Sequence, residues 1–551
     1  MQSVETAATG TKAPEGAPPR AGGARSAALV TAGIVLSRLV GLVRQRVMAH
    51  YFGTSAWADM IAAAFRVGNI TQNLMGEGTL SATFIPLYAR LRGEGKSEEA
   101  ARFARSALGL LLVVVVAASA LGVLFAPWLS WLVAAGFDEE KLAGTATIVR
   151  IVFPMTGLLV LSAWGLGVLN AHRRFFLPYA APVVWSLAQI AALVVAGTFL
   201  GQRGGALATA LAWGAFAGAF LQVVVLLPAA TRALRGLGGA APLAGAKPPN
   251  VDHSIAPRFD AKDPHVREAA ARLPGALVGR GIIQISGLVD TLLVSFLGTG
   301  ANATFGYAQT IYLLPMSVLG TGEAAAALPE LSRDTAEADV AKRNAAVRAR
   351  LGASLARIAV LTVPATLVFV LLGGDLVALL LQTGTFDQAA TARVKPLLAA
   401  YGFALLGNAA GRVLTTTAYA LGDTRTPARF AVLRVVVSTA LALVLMRPLG
   451  VLGVVLGAVI AGWVETCAMG IRLSQAIGGL GLEAIRGGRI ALLGGLSVGA
   501  GVLVRSVLPA SLEGTAIGAM LSLGTFGAAF VVLCPLLGLF DVRSLLRRAR
   551  R

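Results

Sequence analysis

The chain has 551 residues, of which 13% are charged and 56% hydrophobic, with a formal net charge of +20. Together with a mean hydropathy of +0.75, that balance argues against a soluble enzyme, because ordinary globular domains carry about twice the charged fraction. The 47 Lys and Arg against 27 Asp and Glu would suit a nucleic-acid partner, but aromatics are sparse and the basic residues lie between apolar runs. Membrane topology explains them, and no nucleic acid is expected.

Residues 1–26 are rich in Gly, Ala, Pro and Thr and lack an apolar core, so they read as a disordered cytoplasmic tail rather than a cleavable signal. A bilayer core of roughly 30 Å asks for about 20 apolar residues per helix, and the chain supplies such runs repeatedly. Six, at 27–50, 57–91 (broken near Gly76), 106–135, 148–170, 179–200 and 205–227, form a first lobe spanning 27–228. A cytoplasmic linker, 229–272, follows. Six more, at 273–298, 304–328, 354–372, 396–421, 428–446 and 451–470, form a second lobe, 273–471. Runs at 490–508 and 516–539 lie in the last segment, 472–551, which ends in a basic tail. The expected fold is an all-α polytopic membrane protein of 14 transmembrane helices, with two six-helix lobes around a central cavity.

Alternate connections test that count. One side, including both tails, holds 32 Lys and Arg, whereas the other holds five: Lys141, Arg203, Arg393, Lys395 and Arg447. The positive-inside rule then puts both termini in the cytoplasm. The two lobes also repeat each other. Gly41-Leu42-Val43-Arg44 recurs as Gly287-Leu288-Val289-Asp290, Gly76-Glu77-Gly78 with Pro86 as Gly320-Thr321-Gly322-Glu323 with Pro329, and Pro178 as Pro427. Six helices per copy give both copies one orientation, as in transporters whose lobes are related by an axis along the membrane normal.

An ionisable side chain in mid-bilayer costs about 3 kcal/mol on insertion scales, so each faces protein or water. In the second span Asp59, Arg66, Asn69, Asn73 and Glu77 share one helical face, opposite Ile61, Ala64, Phe65 and Leu74, and should line a wet cavity. Arg38 and Arg44 lie deep in the first span; Arg280, Asp290, Glu323, Arg412, Arg434 and Glu465 lie within spans of the second half. Guanidinium forks match phosphate oxygens and stay charged when desolvated, so an anionic cargo is expected. The competing reading pairs these charges across helices to hold the lobes together. Gly76, Gly78, Gly320 and Gly322 serve either bending or close packing. Cys467 and Cys534 sit in apolar stretches as core fillers and suggest no metal. His50, His172, His253 and His265 are scattered and the outer connections short, so an acid/base constellation is missing and an enzyme is not expected.

The stretch Ser37-Arg38-Leu39-Val40-Gly41-Leu42-Val43-Arg44, then Phe52-Gly53, Asp59, Phe65-Arg66-Val67-Gly68-Asn69 and Glu77-Gly78-Thr79-Leu80-Ser81-Ala82-Thr83-Phe84-Ile85-Pro86, resembles the MurJ/MviN lipid II flippases. The span order agrees over nearly the whole chain, including the two extra C-terminal helices. The resemblance implies alternating-access transfer of undecaprenyl-pyrophosphoryl disaccharide-pentapeptide (lipid II) from the inner to the outer leaflet of the bacterial cytoplasmic membrane. It implies cargo-binding roles for Arg38, Arg44 and Arg66, with Asn69, Asn73, Arg280 and Arg412 as further candidates from their placement. Asp59, Glu77 and Glu323 are expected to gate or pair charge. The last two helices would form an apolar groove for the lipid tail.

This sequence departs from the family pattern at Gln45, Gln72 and Gln309-Thr310, where the family tends to carry charges; Arg280, Arg412 and Arg434 are candidate replacements. Asp290 matches a candidate cation position, but Ser438 and Ala442 stand where its partners would be. Coupling to sodium, protons or membrane potential stays open, and no cofactor is expected. Cell-wall synthesis proteins are candidate partners, and the linker, 229–272, is a flexible connection or a docking segment. The alternative cargo reading is another polyprenyl-linked oligosaccharide, or cation-coupled export within the same superfamily.

Overall fold

The structure, a computed structural model, describes residues 22–172, 174, 176–235, 256–334, 339–509, 511–512 and 514–539. The tail at 1–21, the linker portion 236–255 and the tail from 540 lie outside the described residues.

The described residues form fourteen rods, several built from two helices. In the first lobe they are α1 (Gly22–Phe52); α2 (Ala56–Met75) with α3 (Glu77–Gly93); α4 (Ser97–Leu124) with α5 (Ala126–Ala134); α6 (Glu139–Ala171); α7 (Phe176–Ala180) with α8 (Pro182–Val194) and a π-turn at Val195–Phe199; and α9 (Gly204–Arg235). In the second they are α10 (Pro264–Ser295); α11 (Ala301–Asp334); α12 (Val340–Leu371) with α13 (Gly373–Leu381); α14 (Gln388–Ala420); α15 (Arg425–Leu449); and α16 (Val451–Ile477). Then come α17 (Gly487–Val507) and α18 (Ala516–Leu536).

Local chemistry sets the breaks. Ser55 caps α2 by accepting from the Ala58 N–H, and Gly76, with φ −90° and ψ −107°, leaves the helical region where the second span was expected to break. Asp138, Asp263, Asp339 and Asp387 cap α6, α10, α12 and α14 through their side chains, each contact worth about 1 kcal/mol. Left-handed Gly478 ends α16. The helices outrun the hydropathy runs: α12 starts at Val340 rather than 354 and, at 32 residues, extends about 48 Å. Likewise α9 continues to Arg235 and α10 starts at Pro264, so helix occupies both ends of the expected linker. Hydropathy marks the membrane-embedded portion only.

Packing relies on small residues, since lipid offers no hydrophobic drive between helices. In the α15–α16 pair a methyl on Gly457 would stand 2.9 Å from the Ala442 nitrogen, and one on Gly453 would collide with the Leu445 carbonyl. The α17–α18 pair leans on α12, burying Ile490, Leu493 and Cys534 against Ala359 and Val360. Cys534 is thus a core filler, whereas Cys467 is exposed on α16, contrary to expectation. Among the described residues ten rods are long and apolar enough to cross a membrane. The other four, α1, α2–α3, α10 and α11, carry most of the polar positions picked out from the sequence; Arg412, Arg434 and Glu465 lie on α14, α15 and α16.

At the end of the bundle where α1 begins and α18 ends, His172 caps α6 and its Nε2 lies 2.9 Å from the Tyr88 hydroxyl. Burial, reinforced by Arg92 and Arg174, pushes its pKa down to about 4. A histidine kept neutral in the fold but titrating near 6.5 when unfolded adds stability above pH 6.5, and this is lost as pH falls from 6.5 towards 4. Thermal unfolding in detergent is therefore expected to lose midpoint across that window, and His172→Gln to flatten the loss. An identical pH profile in both proteins would exclude this origin.

Candidate functional site

A cavity of about 300 Å³ lies between the lobes, walled by α1, α2, α8, α10 and α11. Arg44 and Arg66 are the charged side chains lining it; Gln45, Asn69, Gln309 and Thr310 add neutral polarity. The Arg44 guanidinium stands 4.7 Å from the centroid of the Trp185 ring on α8, a cation–π contact worth on the order of 2 kcal/mol when desolvated. This contact holds the guanidinium over the ring, while its Nε finds no partner among the described residues. Arg66 reaches across to the second lobe, donating from Nε (3.1 Å) and Nη2 (2.7 Å) to the Gly287 carbonyl. A side chain on Gly287 would meet that guanidinium and displace it, whereas its repeat partner Gly41 has open space. Asp290, almost one turn further along α10, lies in the field of Arg66 and Arg434, and Arg434 pairs with Glu465 at 3.1 Å.

The other sequence-picked positions distribute as follows. Arg38 is exposed and sits seven residues before Gln45, hence on the same face of α1, about 10 Å nearer the termini. Asn69 lines the cavity and is exposed, while Asn73, one turn on, is half-buried outside the lining. Arg412 is exposed on α14. The side chains of Glu77, Arg280 and Glu323 lie outside the described residues, as do Gly78, Gly320 and Gly322. The α2 stripe needs correction. Asp59 is fully buried rather than cavity-lining, whereas Ile61 and Phe65, assigned to the opposite face, line the cavity. The wall takes in a broader arc of α2, so apolar and polar residues share it. Of the departures from the family pattern, Gln45, Gln309 and Thr310 face this space, whereas Gln72 lies outside its lining.

Asp59 works at the end of the bundle far from the termini. Its carboxylate accepts the N–H groups of Gly300 (2.6 Å) and Ala303 (2.9 Å), capping α11 of the opposite lobe, where a negative charge also meets the helix dipole. Lys141 completes the junction, 3.7 Å from Asp59 and 2.8 Å from the Thr299 hydroxyl. Nearby, the Tyr307 hydroxyl donates to the Gly53 carbonyl (3.0 Å), the Gly136 N–H to the Ser295 hydroxyl (3.0 Å), and the Thr385 N–H to the His50 carbonyl (2.9 Å). The lobes are locked at this end. Phe52 and Ala58, which line the cavity here, are buried, whereas Asn69 and Arg38 towards the termini are exposed. The cavity is therefore shut at the far end and opens towards the termini.

Sequence reasoning missed Trp185, Gln189 and Asn302, all lining the cavity, and the pairing of Lys141 with Asp59. The only signal was polarity inside apolar runs: Trp185 and Gln189 are one turn apart on α8, and Asn302 is in the first turn of α11.

Two lobes, a basic cavity between them and two trailing helices invite comparison with known proteins. The family described as "Lipid II flippase MurJ" matches residues 48–508. A "Probable lipid II flippase MurJ" of Rhizobium meliloti (strain 1021) is 32% identical over 432 residues, covering 78% of this chain and 76% of its own. The solved structure "Lipid II flippase MurJ, inward closed conformation" superposes with a TM-score of 0.72 at 19% identity, over 92% of this chain and 99% of its own. An "Inward-facing conformation of a multidrug resistance MATE family transporter of the MOP superfamily" gives 0.63 at 16% identity, over 83% and 98%. The fold is thus shared with exporters of other cargo, and it is the sequence match along most of the chain that decides between them: this protein belongs to the lipid II flippase MurJ family.

Proposed function

We propose that this chain carries lipid II across the bacterial cytoplasmic membrane by alternating access and without covalent chemistry, the pyrophosphate being gripped by cavity arginines. The observation that carries the reading is the charge inventory of the cavity: among the described residues Arg44 and Arg66 are the charged side chains of its wall, and Asp290, which lies in the field of both Arg66 and Arg434, is outside the lining. A diphosphate supplies the missing negative charge, and planar forks bind it best. With both termini in the cytoplasm, the locked end faces outward and the open end admits cargo from the inner leaflet, past Arg38.

A cavity of about 300 Å³ has room for a phosphate-linked sugar but not for a whole disaccharide-pentapeptide. Loading therefore needs the lobes to part further at the open end. Asp290 acts in this scheme as counter-ion to Arg66 and Arg434, and the arginines at 280 and 412 are further sources of positive charge. Neutral Gln45, Gln309 and Thr310 in the wall favour a second reading, a different polyprenyl-linked oligosaccharide.

Depletion and rescue separate the two. Expression of this chain in cells depleted of their own lipid II flippase should restore growth and prevent lipid II from accumulating in the inner leaflet. Failure to rescue, together with transfer of another polyprenyl-linked sugar in vesicles, would replace the first reading with the second.

A further inference from the structure

A second cavity, of about 670 Å³, lies at the end of the bundle where α1 begins and α18 ends, enclosed by the start of α12, the turn from α14 to α15 and the last turns of α16. Clefts of roughly 300–1,000 Å³ are the size that holds ligands. No wall is shared with the cavity between the lobes, so an occupant stays off the cargo path. Arg343 and Arg472 line the cleft, with Asn344, Thr426 and Gln475 as neutral polar groups. Its carboxylate among the described residues, Asp423, is already engaged: the Oδ1 accepts the N–H groups of Arg425 (3.1 Å) and Thr426 (3.0 Å) at the start of α15. The Arg343 Nε donates to the Asn344 Oδ1 at 3.4 Å, and the Asn344 Nδ2 to the Ala476 carbonyl at 3.4 Å, which ties α12 to α16. Among the described residues neither lining guanidinium pairs with a carboxylate. Arg348 and Arg425, both exposed, add positive charge beside the cleft.

Basic residues at this end follow from topology alone, but their height does not. Arg343 stands 11 residues ahead of the apolar run that opens at Ser354, about 16 Å along the helix. The headgroup layer on each side of a bilayer is roughly 5–8 Å deep, so this arginine is held beyond it, in water. The helix keeps its form that far out because Asp339 caps it, accepting from Ala341 (2.9 Å) and Lys342 (3.2 Å). Gly352 also lets the connection after α16 pack directly on it, since a methyl there would collide with the Gly481 carbonyl. A lipid headgroup reaches Arg472, at the membrane edge, but not Arg343 as well. A nucleotide calls for an aromatic platform, and no aromatic side chain lines the cleft among the described residues. Carboxylates along a peptide fit better: each guanidinium fork takes a pair of carboxylate oxygens, and the Gln475 amide matches peptide groups.

We infer that the cleft between α12, α14 and α16 is a docking site for an acidic segment of a cytoplasmic protein, held by Arg343 and Arg472 beside the path of the cargo. This rests on the orientation proposed above and not on the identity of the cargo. The probe is fluorescein-labelled hexaglutamate, with hexaglutamine as control, titrated against the full-length purified protein. Hexaglutamate should bind at least about tenfold more tightly, and equal binding of the two would overturn the site. An exposed ion pair is worth up to about 1 kcal/mol, a factor of about five. Arg343→Gln and Arg472→Gln should therefore each weaken hexaglutamate about three- to fivefold, and together about tenfold. Arg102→Gln with Arg232→Gln, at exposed positions on α4 and α9 of the first lobe, removes the same charge and should cost less than about twofold; an equal loss would mean diffuse attraction and no site. Nanodiscs containing phosphatidylglycerol test the lipid alternative: if the difference between the parent and the Arg343→Gln, Arg472→Gln protein vanishes there, headgroups fill the cleft and the proposal fails. A gain in affinity on deleting residues 1–21, which include Glu5 and Glu15, would assign the cleft to the chain's own tail and overturn it too. Sealed inside-out vesicles should bind the probe; binding by right-side-out vesicles instead would exclude a cytoplasmic partner. All these outcomes are distinct from the rescue experiment that judges the cargo.

Discussion

Arg44→Ala is expected to reduce binding of lipid II at least about 30-fold and to abolish rescue of a flippase-depleted strain. A charge-assisted contact to phosphate is worth about 2–3 kcal/mol, and a tenfold change in affinity is 1.4 kcal/mol. Arg44→Lys separates charge from shape. The ammonium keeps the positive charge but loses both the fork and the stack over Trp185, so an intermediate loss, roughly tenfold, should follow. Arg66→Ala is a different experiment because Arg66 also joins the lobes through the Gly287 carbonyl. It should separate the lobes as well as lower affinity, whereas Arg44→Ala loses only its contact over Trp185, within the first lobe, and should lower the thermal midpoint less than Arg66→Ala does. Titration of the solubilised protein with lipid II, beside a melting curve, checks both. Unaltered affinity in Arg44→Ala would mean that the diphosphate is held elsewhere.

The fold was legible because lipid imposes a simple rule: backbone polar groups must be satisfied inside each helix, so every crossing leaves a long apolar run. Ten rods announce themselves that way in the structure as well, and the remaining four, drawn from weaker apolar runs, are diluted by polar and charged residues within them. Gly76 marked a break because glycine weakens a helix wherever it falls. Arg44 and Arg66 were readable as cavity residues for the same reason as the break, a local cost requiring a local explanation. What escaped was anything defined by a partner from the other lobe. Nothing in the neighbourhood of Asp59 reveals that its carboxylate caps a helix 241 residues away in sequence. Similarly, Trp185 and Asn302 are unremarkable in their own helices and acquire meaning only when α8 and α11 face one another across the same space. The face assigned to Ile61 and Phe65 failed because a cavity between several helices is walled by a wide arc, not by a single polar stripe.

The Asp59 junction carries the second large effect. Asp59→Ala strands the Gly300 and Ala303 N–H groups and leaves Lys141 without its buried counter-charge, and breaking such a buried pair costs about 3–5 kcal/mol. Since 1.4 kcal/mol is a factor of ten, the ratio of locked to unlocked far end should fall more than about a hundredfold. Spin labels at Glu140→Cys on α6 and Ala392→Cys on α14, in a Cys467→Ala background, should therefore report one short distance in the parent protein and a second, longer one in Asp59→Ala. Gly136→Ala reaches the same state by another route. The added methyl would stand 2.5 Å from the Phe296 nitrogen of the opposite lobe, wedging the lobes apart with every charge in place. If both substitutions lengthen the distance, the junction is a lock whose strength sets how far the cavity must be filled before it opens. If only Asp59→Ala does so, the carboxylate acts through α11 alone, and if neither does, the far end is held by the wider packing of Tyr307, Phe386 and their neighbours. A lock of several kcal/mol also explains why cargo contacts should be shared between lobes: a ligand shifts a two-state equilibrium only by the difference in its affinity for the two states, and a cavity lined by both lobes is the place where that difference can arise.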